Sequence, residues 1–143
     1  MNSIEMKTYI GTKIIKAFKS PAREDIYHSK KGDPGYVIEY EDGYKSWSPA
    51  RVFEKAYRLV DEMNFGLAIE VLKQGKRVAR KGWNGVGIFI EMQEPDENSK
   101  MTQPYIYIDT TNLQTDNPDA PKCRVPWLAS QTDMLADDWV IVV

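Results

Sequence analysis

The sequence predicts an α+β fold of two small modules, each a mainly antiparallel β-sheet with one principal helix. Three observations lead to this prediction. The chain has 143 residues, enough for one or two small cores. Short runs of β-branched and aromatic residues alternate with turn sequences, which is typical of antiparallel strands. One segment in each half of the chain places its apolar residues at helical spacing.

Residues 1–62 form the first predicted module, with the order β-β-β-α. Its strands are predicted over residues 9–18, 36–40 and 44–47. Asp42 and Gly43 are typical of a hairpin turn between the second and third strands. A helix is predicted next, with Ser48 as its N-cap and Pro49 as its first helical residue.

Residues 63–143 form the second predicted module, which begins with a helix. Asn64 is expected to cap this helix and Gly75 to end it. Four strands are predicted, over residues 77–81, 87–92, 105–110 and 138–143. Two loops rich in Pro, Asp, Asn and Thr are predicted, at residues 94–103 and 112–122.

Composition and charge exclude several classes of protein. No apolar run approaches the ~18 residues of a membrane span, and the start of the chain lacks a secretion signal, so we expect a cytoplasmic protein without membrane contact. A net charge of -2 argues against a partner such as a nucleic-acid polymer. One cysteine, Cys123, and one histidine, His28, exclude a disulfide framework and a structural zinc site. The sequence predicts no catalytic residue, no metal and no cofactor.

The densest positive stretch contains five basic residues within nine, namely Lys73, Lys76, Arg77, Arg80 and Lys81. It lies in a module whose own net charge is -3, with eight basic and eleven acidic residues. One interpretation is a site for an anionic ligand. The other is a solvated helix end followed by an exposed strand edge, where lysines prevent pairing with another chain.

A turn sequence, Gly82-Trp83-Asn84-Gly85, follows the basic stretch. A turn does not require an indole, so Trp83 is a candidate platform for a stacked nucleobase. The amide of Asn84 can donate to and accept from a base edge or a ribose. The alternative is that Trp83 folds back over the core.

Two further segments offer polar groups to a ligand. At the start of the second-module helix, backbone N–H groups near Phe65 and Gly66 can receive a phosphate, although most helix starts are merely capped. Ser130 and Asp133, three residues apart, predict a capping box at the start of one helical turn. These groups lie between Trp127 and Trp139, a setting that also suits the hydroxyls of a sugar.

Three blocks of the second module resemble the second type of Thoeris anti-defence protein. They lie at residues 63–68, 75–85 and 107–139. The resemblance implies a small phage protein that acts in the cytoplasm of the infected host. It implies binding and sequestration, without degradation, of the cyclic ADP-ribose isomers (glycocyclic ADP-ribose) that TIR enzymes make in Thoeris immunity. It also implies a homotetramer with pockets between protomers and, as in some members, a separate site for the cyclic dinucleotides of CBASS immunity.

The resemblance also assigns the ligand-binding residues, which are Phe65, Gly66, Trp83, Asn84, Trp127, Ser130, Thr132 and Asp133. Residues 1–62 are then an extension similar to a module of small phage proteins, and no role is predicted for it. Two other hypotheses stay open. One is a hydrolase of a nucleotide signal with Asp133 or Asp137 as general base. The other is a structural or interaction protein whose tryptophans are only core or interface residues.

Overall fold

Two antiparallel sheets, one in each half of the chain, form the framework of the computed structural model, which describes residues 4–143. The contact pattern divides the chain into two units, one ending at Tyr57 and the other spanning Arg58–Val143. Each sheet is accompanied by short helices. The predicted α+β fold class is confirmed.

A three-stranded sheet and one helix build the first unit. The elements are β1 (Lys16–Lys19), β2 (Gly35–Glu39), β3 (Lys45–Pro49) and α1 (Ala50–Ala56), and the sheet order is β1-β2-β3. Helix α1 packs on the face that carries Tyr36 and the buried Ile38, and the ring of Tyr36 stacks on Phe53 at 4.0 Å between centroids. The predicted order β-β-β-α is therefore present.

Two local predictions for the first unit are wrong. The strand predicted over residues 9–18 is confined to β1, because only Lys16–Lys19 pair with β2. Ser48 is not an N-cap, because it still pairs with Tyr36 inside β3. The N-cap is Pro49, one residue later, and no side-chain hydrogen bond caps the helix.

The second unit is a five-stranded sheet with one main helix. Its elements are α2 (Phe65–Lys73), β4 (Arg77–Arg80), β5 (Phe89–Gln93), β6 (Tyr105–Asp109), β7 (Arg124–Pro126), α3 (Gln131–Leu135) and β8 (Trp139–Val142). The sheet order is β7-β6-β5-β4-β8, so the last strand of the chain lies beside the first strand of this sheet. Strand β7 was not predicted, because three residues are too few to show an alternation.

The core of the second unit lies between α2 and one face of the sheet. Val78 lies opposite Ile90 on one side and Ile141 on the other, and it is fully buried. Ala68 and Leu72 of α2 are buried as well. This face is the inner face of the sheet, and the opposite one is its outer face.

Most local signals of the second unit are confirmed, with one exception. The side chain of Asn64 accepts a hydrogen bond from the backbone N–H of Leu67 at 2.9 Å, and Gly75 follows the helix with a φ of 83°. Gly87, predicted to begin a strand, instead lies in a turn with a φ of 92°. A Cβ there would collide with the backbone carbonyl of Asn112, so the turn requires glycine. Strand β5 begins two residues later, at Phe89.

The helices of both units are short. The longest among residues 4–143 is α2, with nine residues, and a bilayer span requires about 20. None of the described helices meets the length and apolarity that a membrane crossing needs.

Candidate functional site

Four aromatic rings meet at one end of α2 and form the aromatic cluster of Phe65, Trp83, Trp127 and Trp139. Phe65 and Trp83 each lie 5.4 Å from Trp139 between ring centroids, and Trp127 lies 6.0 Å from it. The three tryptophans meet edge to face, an arrangement that stabilises each pair by about 0.5–1.5 kcal/mol beyond burial. The cluster joins the start of α2, the turn after β4, the segment after β7 and the first residue of β8.

Trp139 is the buried centre of this cluster. Its side chain is 0% exposed, and its indole N–H donates to the backbone carbonyl of Asp133 at 3.0 Å. Its backbone exchanges two hydrogen bonds with Met63, just before α2. The other three rings are only half-buried, so they are the ones that a ligand can reach.

Arg80 pairs with two carboxylates beside the aromatic cluster. Its Nε donates to Asp138 Oδ1 and its Nη1 to Asp133 Oδ1, each at 2.9 Å. The second oxygen of Asp138 accepts the backbone N–H of Gly82 at 2.8 Å. A Cβ at position 82 would lie 2.8 Å from that oxygen, so a larger residue there would require Asp138 to shift. The hydrogen bonds to Asp138 and then Asp133 raise the pKa of Arg80, which stays charged.

The carboxylate of Asp133 accepts hydrogen bonds on both oxygens. Oδ1 accepts from Arg80 and, at 3.2 Å, from the indole N–H of Trp83, while Oδ2 accepts from the backbone N–H and hydroxyl of Ser130 at 3.0 and 2.8 Å. Ser130 Oγ in turn accepts the backbone N–H of Asp133, which confirms the predicted capping box. Burial alone would raise the pKa of Asp133, but the hydrogen bonds from Arg80, Ser130 and Trp83 outweigh it and lower the pKa to about 2.

The structure brings five of the eight predicted ligand residues into one cluster. Phe65, Trp83 and Trp127 supply rings, while Ser130 and Asp133 lie in the polar network beside them. The other three are exposed at positions adjoining this set, namely Gly66, Asn84 and Thr132. The role of all eight residues in binding stays a prediction.

Three residues of this site were not among the predicted ligand residues: Arg80, Asp138 and Trp139. The hydrogen-bond partners of Arg80 lie 53 and 58 residues further along the chain, so no local motif reveals them. The last strand was predicted from the sequence, and its pairing with β4 is what would have revealed these residues. In that pairing Trp139 lies opposite Arg80.

The five basic residues do not form one anion site. Strand alternation sends Arg80 to the inner face and Arg77 to the outer face, where Arg77 pairs with Glu91 at 2.8 Å. Lys81 Nζ lies 3.7 Å from an Asp61 carboxylate oxygen. The stretch is mainly a set of separate ion pairs and solvated lysines.

A polar cleft of about 280 Å³ lies on the outer face of the sheet, and the sequence did not predict it. Its lining includes Arg77, Gln93, Tyr105, Tyr107, Asp109 and Arg124. Asp109 is buried and accepts Arg124 Nε at 2.8 Å. Burial opposes ionisation of Asp109, but the hydrogen bonds from Thr111 and Arg124 lower its pKa overall. The cleft is separate from the aromatic cluster, because it opens on the opposite face of the sheet.

Comparison with known proteins places the second half of the chain in a class of anti-defence proteins. Residues 63–142 match the family model of the Thoeris anti-defense 2-like domain. The Thoeris anti-defense 2 protein of Bacillus phage SP01 is 35% identical over 94 residues, which cover 57% of this chain and 96% of that protein. The chain therefore belongs to the Thoeris anti-defense 2-like family, as the three blocks indicated. Its role is anti-defence, and the family is not named for an enzymatic activity.

The lowered pKa of Asp133 predicts how the aromatic cluster responds to acid. Because the folded-state pKa of about 2 lies below the usual 3.8, the stabilisation is complete above the usual value and is lost as the pH falls towards 2. We expect the near-ultraviolet circular dichroism of the tryptophans to be constant from neutral pH to about pH 4 and to change below it. Asp133→Asn should lack this step, and a wild-type transition near neutral pH would contradict the assignment.

Proposed function

We propose that the second unit binds and sequesters the cyclic ADP-ribose isomers that TIR enzymes make, and thereby blocks Thoeris immunity in the cytoplasm of the infected host. The aromatic cluster carries this proposal, because three half-buried rings lie beside polar side chains at one end of a helix. Family membership supplies the biological context, since the SP01 relative is named for anti-defence against Thoeris.

Each part of such a ligand has a counterpart in this region. The adenine would stack on the half-buried face of Trp83 or Trp127. Ribose hydroxyls would meet the exposed side chains of Asn84 and Thr132. The phosphates would lie at the start of α2, near the backbone N–H groups of Phe65 and Gly66, because Asn64 already caps Leu67.

Sequestration suits this site better than hydrolysis. A general base works best when its pKa lies near the operating pH, whereas the pKa of Asp133 is lowered to about 2. Asp138 is likewise held by Arg80 and by the backbone of Gly82. A sequestering protein must hold the free signal below the threshold of its effector, so nanomolar affinity, about -12 kcal/mol, is the relevant scale. Pockets shared between protomers of a homotetramer would help to enclose the ligand at this affinity.

Native mass spectrometry followed by heat release tests this proposal. The protein incubated with the TIR product should form a tetramer that carries intact ligand. Heating should then release the cyclic compound chemically unchanged, because the carboxylates of Asp133 and Asp138 are held as ion-pair and hydrogen-bond acceptors. Recovery of a linear or hydrolysed product that accumulates with time would establish the hydrolase hypothesis instead.

Substitution of Trp83 tests whether the aromatic cluster binds the ligand. Trp83→Ala should weaken binding by about 5- to 150-fold, which corresponds to ~1–3 kcal/mol of stacking. Trp83→Phe should lose less, because a smaller ring can still stack although the N–H bond to Asp133 is lost. Calorimetric affinity is compared with the melting curve of the free protein. Unchanged affinity with a lowered melting temperature would leave Trp83 as a packing residue only.

The outer-face cleft favours a second candidate ligand, a cyclic dinucleotide of CBASS immunity. The Arg124 side chain is 65% exposed while its Nε is fixed on Asp109, so its guanidinium is oriented and accessible to a phosphate. Tyr105 and Tyr107 add aromatic rings to the same cleft. Binding here would leave the aromatic cluster free for the other signal.

Arg124→Ala tests this second site. The substitution should weaken cyclic dinucleotide binding by about tenfold or more, because a charge-assisted hydrogen bond to phosphate contributes about 1.5–3 kcal/mol. Binding of the cyclic ADP-ribose isomer should not change. Lys122→Ala, a nearby exposed cation, is the matched control. Equal calorimetric affinities for cyclic dinucleotides in all three proteins would exclude the cleft.

A further inference from the structure

Arg80 is the charged centre of the network beside the aromatic cluster. It lies at the end of β4, and its side chain is only 14% exposed. One guanidinium edge is engaged by Asp138 and the other by Asp133, on two separate segments of the chain. Two carboxylates more than neutralise one guanidinium, so this charge is poorly suited to hold the phosphates of a ligand.

The carboxylate of Asp133 is likewise fully hydrogen-bonded within the protein. An ionised carboxylate has about four lone-pair positions. Those of Asp133 receive Arg80, the indole N–H of Trp83, and the N–H and hydroxyl of Ser130. A ligand hydroxyl could bond to Asp133 only by displacing one of these donors.

The network extends to Trp83 through a single oxygen. Oδ1 of Asp133 accepts both from Arg80 and from Trp83 Nε1. Removing one member of a buried ion pair leaves an uncompensated charge, which must move to water or take up a proton. Movement of the carboxylate would remove the acceptor of Trp83, and protonation would weaken it, whereas the indole is otherwise held by edge-to-face packing against Trp127 and Trp139.

We infer that Arg80 is a positioning residue, which fixes the orientation of Trp83 through Asp133 and does not itself contact the ligand. The part of this inference that concerns affinity rests on the proposed function. The part that concerns the orientation of Trp83 does not, because it is visible in the free protein.

Three variants separate positioning from direct contact. Arg80→Met should change the near-ultraviolet circular dichroism of the ligand-free protein and weaken binding of the cyclic ADP-ribose isomer by no more than the about 5- to 150-fold expected for Trp83→Ala, because it acts only through that ring. Arg80→Lys should lie between Arg80→Met and wild type in both the spectrum and the affinity. An ammonium can hold one carboxylate but lacks the planar group that binds two. Lys81→Met, the adjacent exposed cation, should change neither.

A double substitution tests whether Arg80 affects ligand affinity through Trp83. In a Trp83→Phe background the N–H donor is absent, so adding Arg80→Met should produce a much smaller further loss of affinity than in wild type. If Arg80→Met does not fold, Arg80→Gln replaces it, since its neutral amide removes the counterion of Asp133 but can still donate a hydrogen bond, and it should shift the free-protein spectrum in the same direction.

Two results would overturn the inference. Weaker binding with an unchanged ligand-free spectrum would mean that Arg80 contacts the ligand directly. An unchanged spectrum together with unchanged affinity would mean that Trp83 does not depend on Arg80. If the wild-type protein binds no cyclic ADP-ribose isomer, the proposed function fails, while the ligand-free spectra of the same variants still decide whether Arg80 positions Trp83.

Discussion

The ion pair between Arg80 and Asp133 holds together parts of the second unit that are far apart in the chain. A carboxylate taken largely out of water is stable only if a counterion and several donors replace the water. Arg80 supplies the counterion from β4, Ser130 supplies two donors from the start of α3, and Trp83 supplies one from a turn. The position of the half-buried indole of Trp83 therefore depends on the need of the Asp133 carboxylate for hydrogen-bond donors.

The alternation of side chains along β4 decides what the basic stretch can do. Arg77 and Arg80 are three residues apart and lie on opposite faces of the sheet. Arg80 lies on the face of the aromatic cluster, where it pairs with the carboxylates of Asp133 and Asp138. Arg77 lies over the ring of Phe89 and borders the outer cleft. One dense run of positive charge in the sequence thus serves two unrelated surfaces.

Features encoded by neighbouring residues could be predicted from the sequence, and those that need distant partners could not. The cap at Asn64, the helix end at Gly75 and the capping box at Ser130 are local, and all are present. The aromatic and polar residues of the candidate site were also recognised, although largely through family resemblance. The ion pair between Arg80 and Asp138 was missed, because 58 residues separate them and only the β4–β8 pairing brings them together. The cap predicted at Ser48 failed because strand pairing continued through it.

The pairing of Met63 with Trp139 brings together the two ends of the segment that defines the family. Met63 exchanges backbone hydrogen bonds with Trp139, and Val60 accepts one from Ile141, so the chain enters and leaves this unit along the same edge of the sheet. A unit closed in this way can carry an additional module at either end without rethreading its sheet. The same closure makes it suitable for circular permutation, in which a short linker joins the old ends and new termini open in an exposed loop.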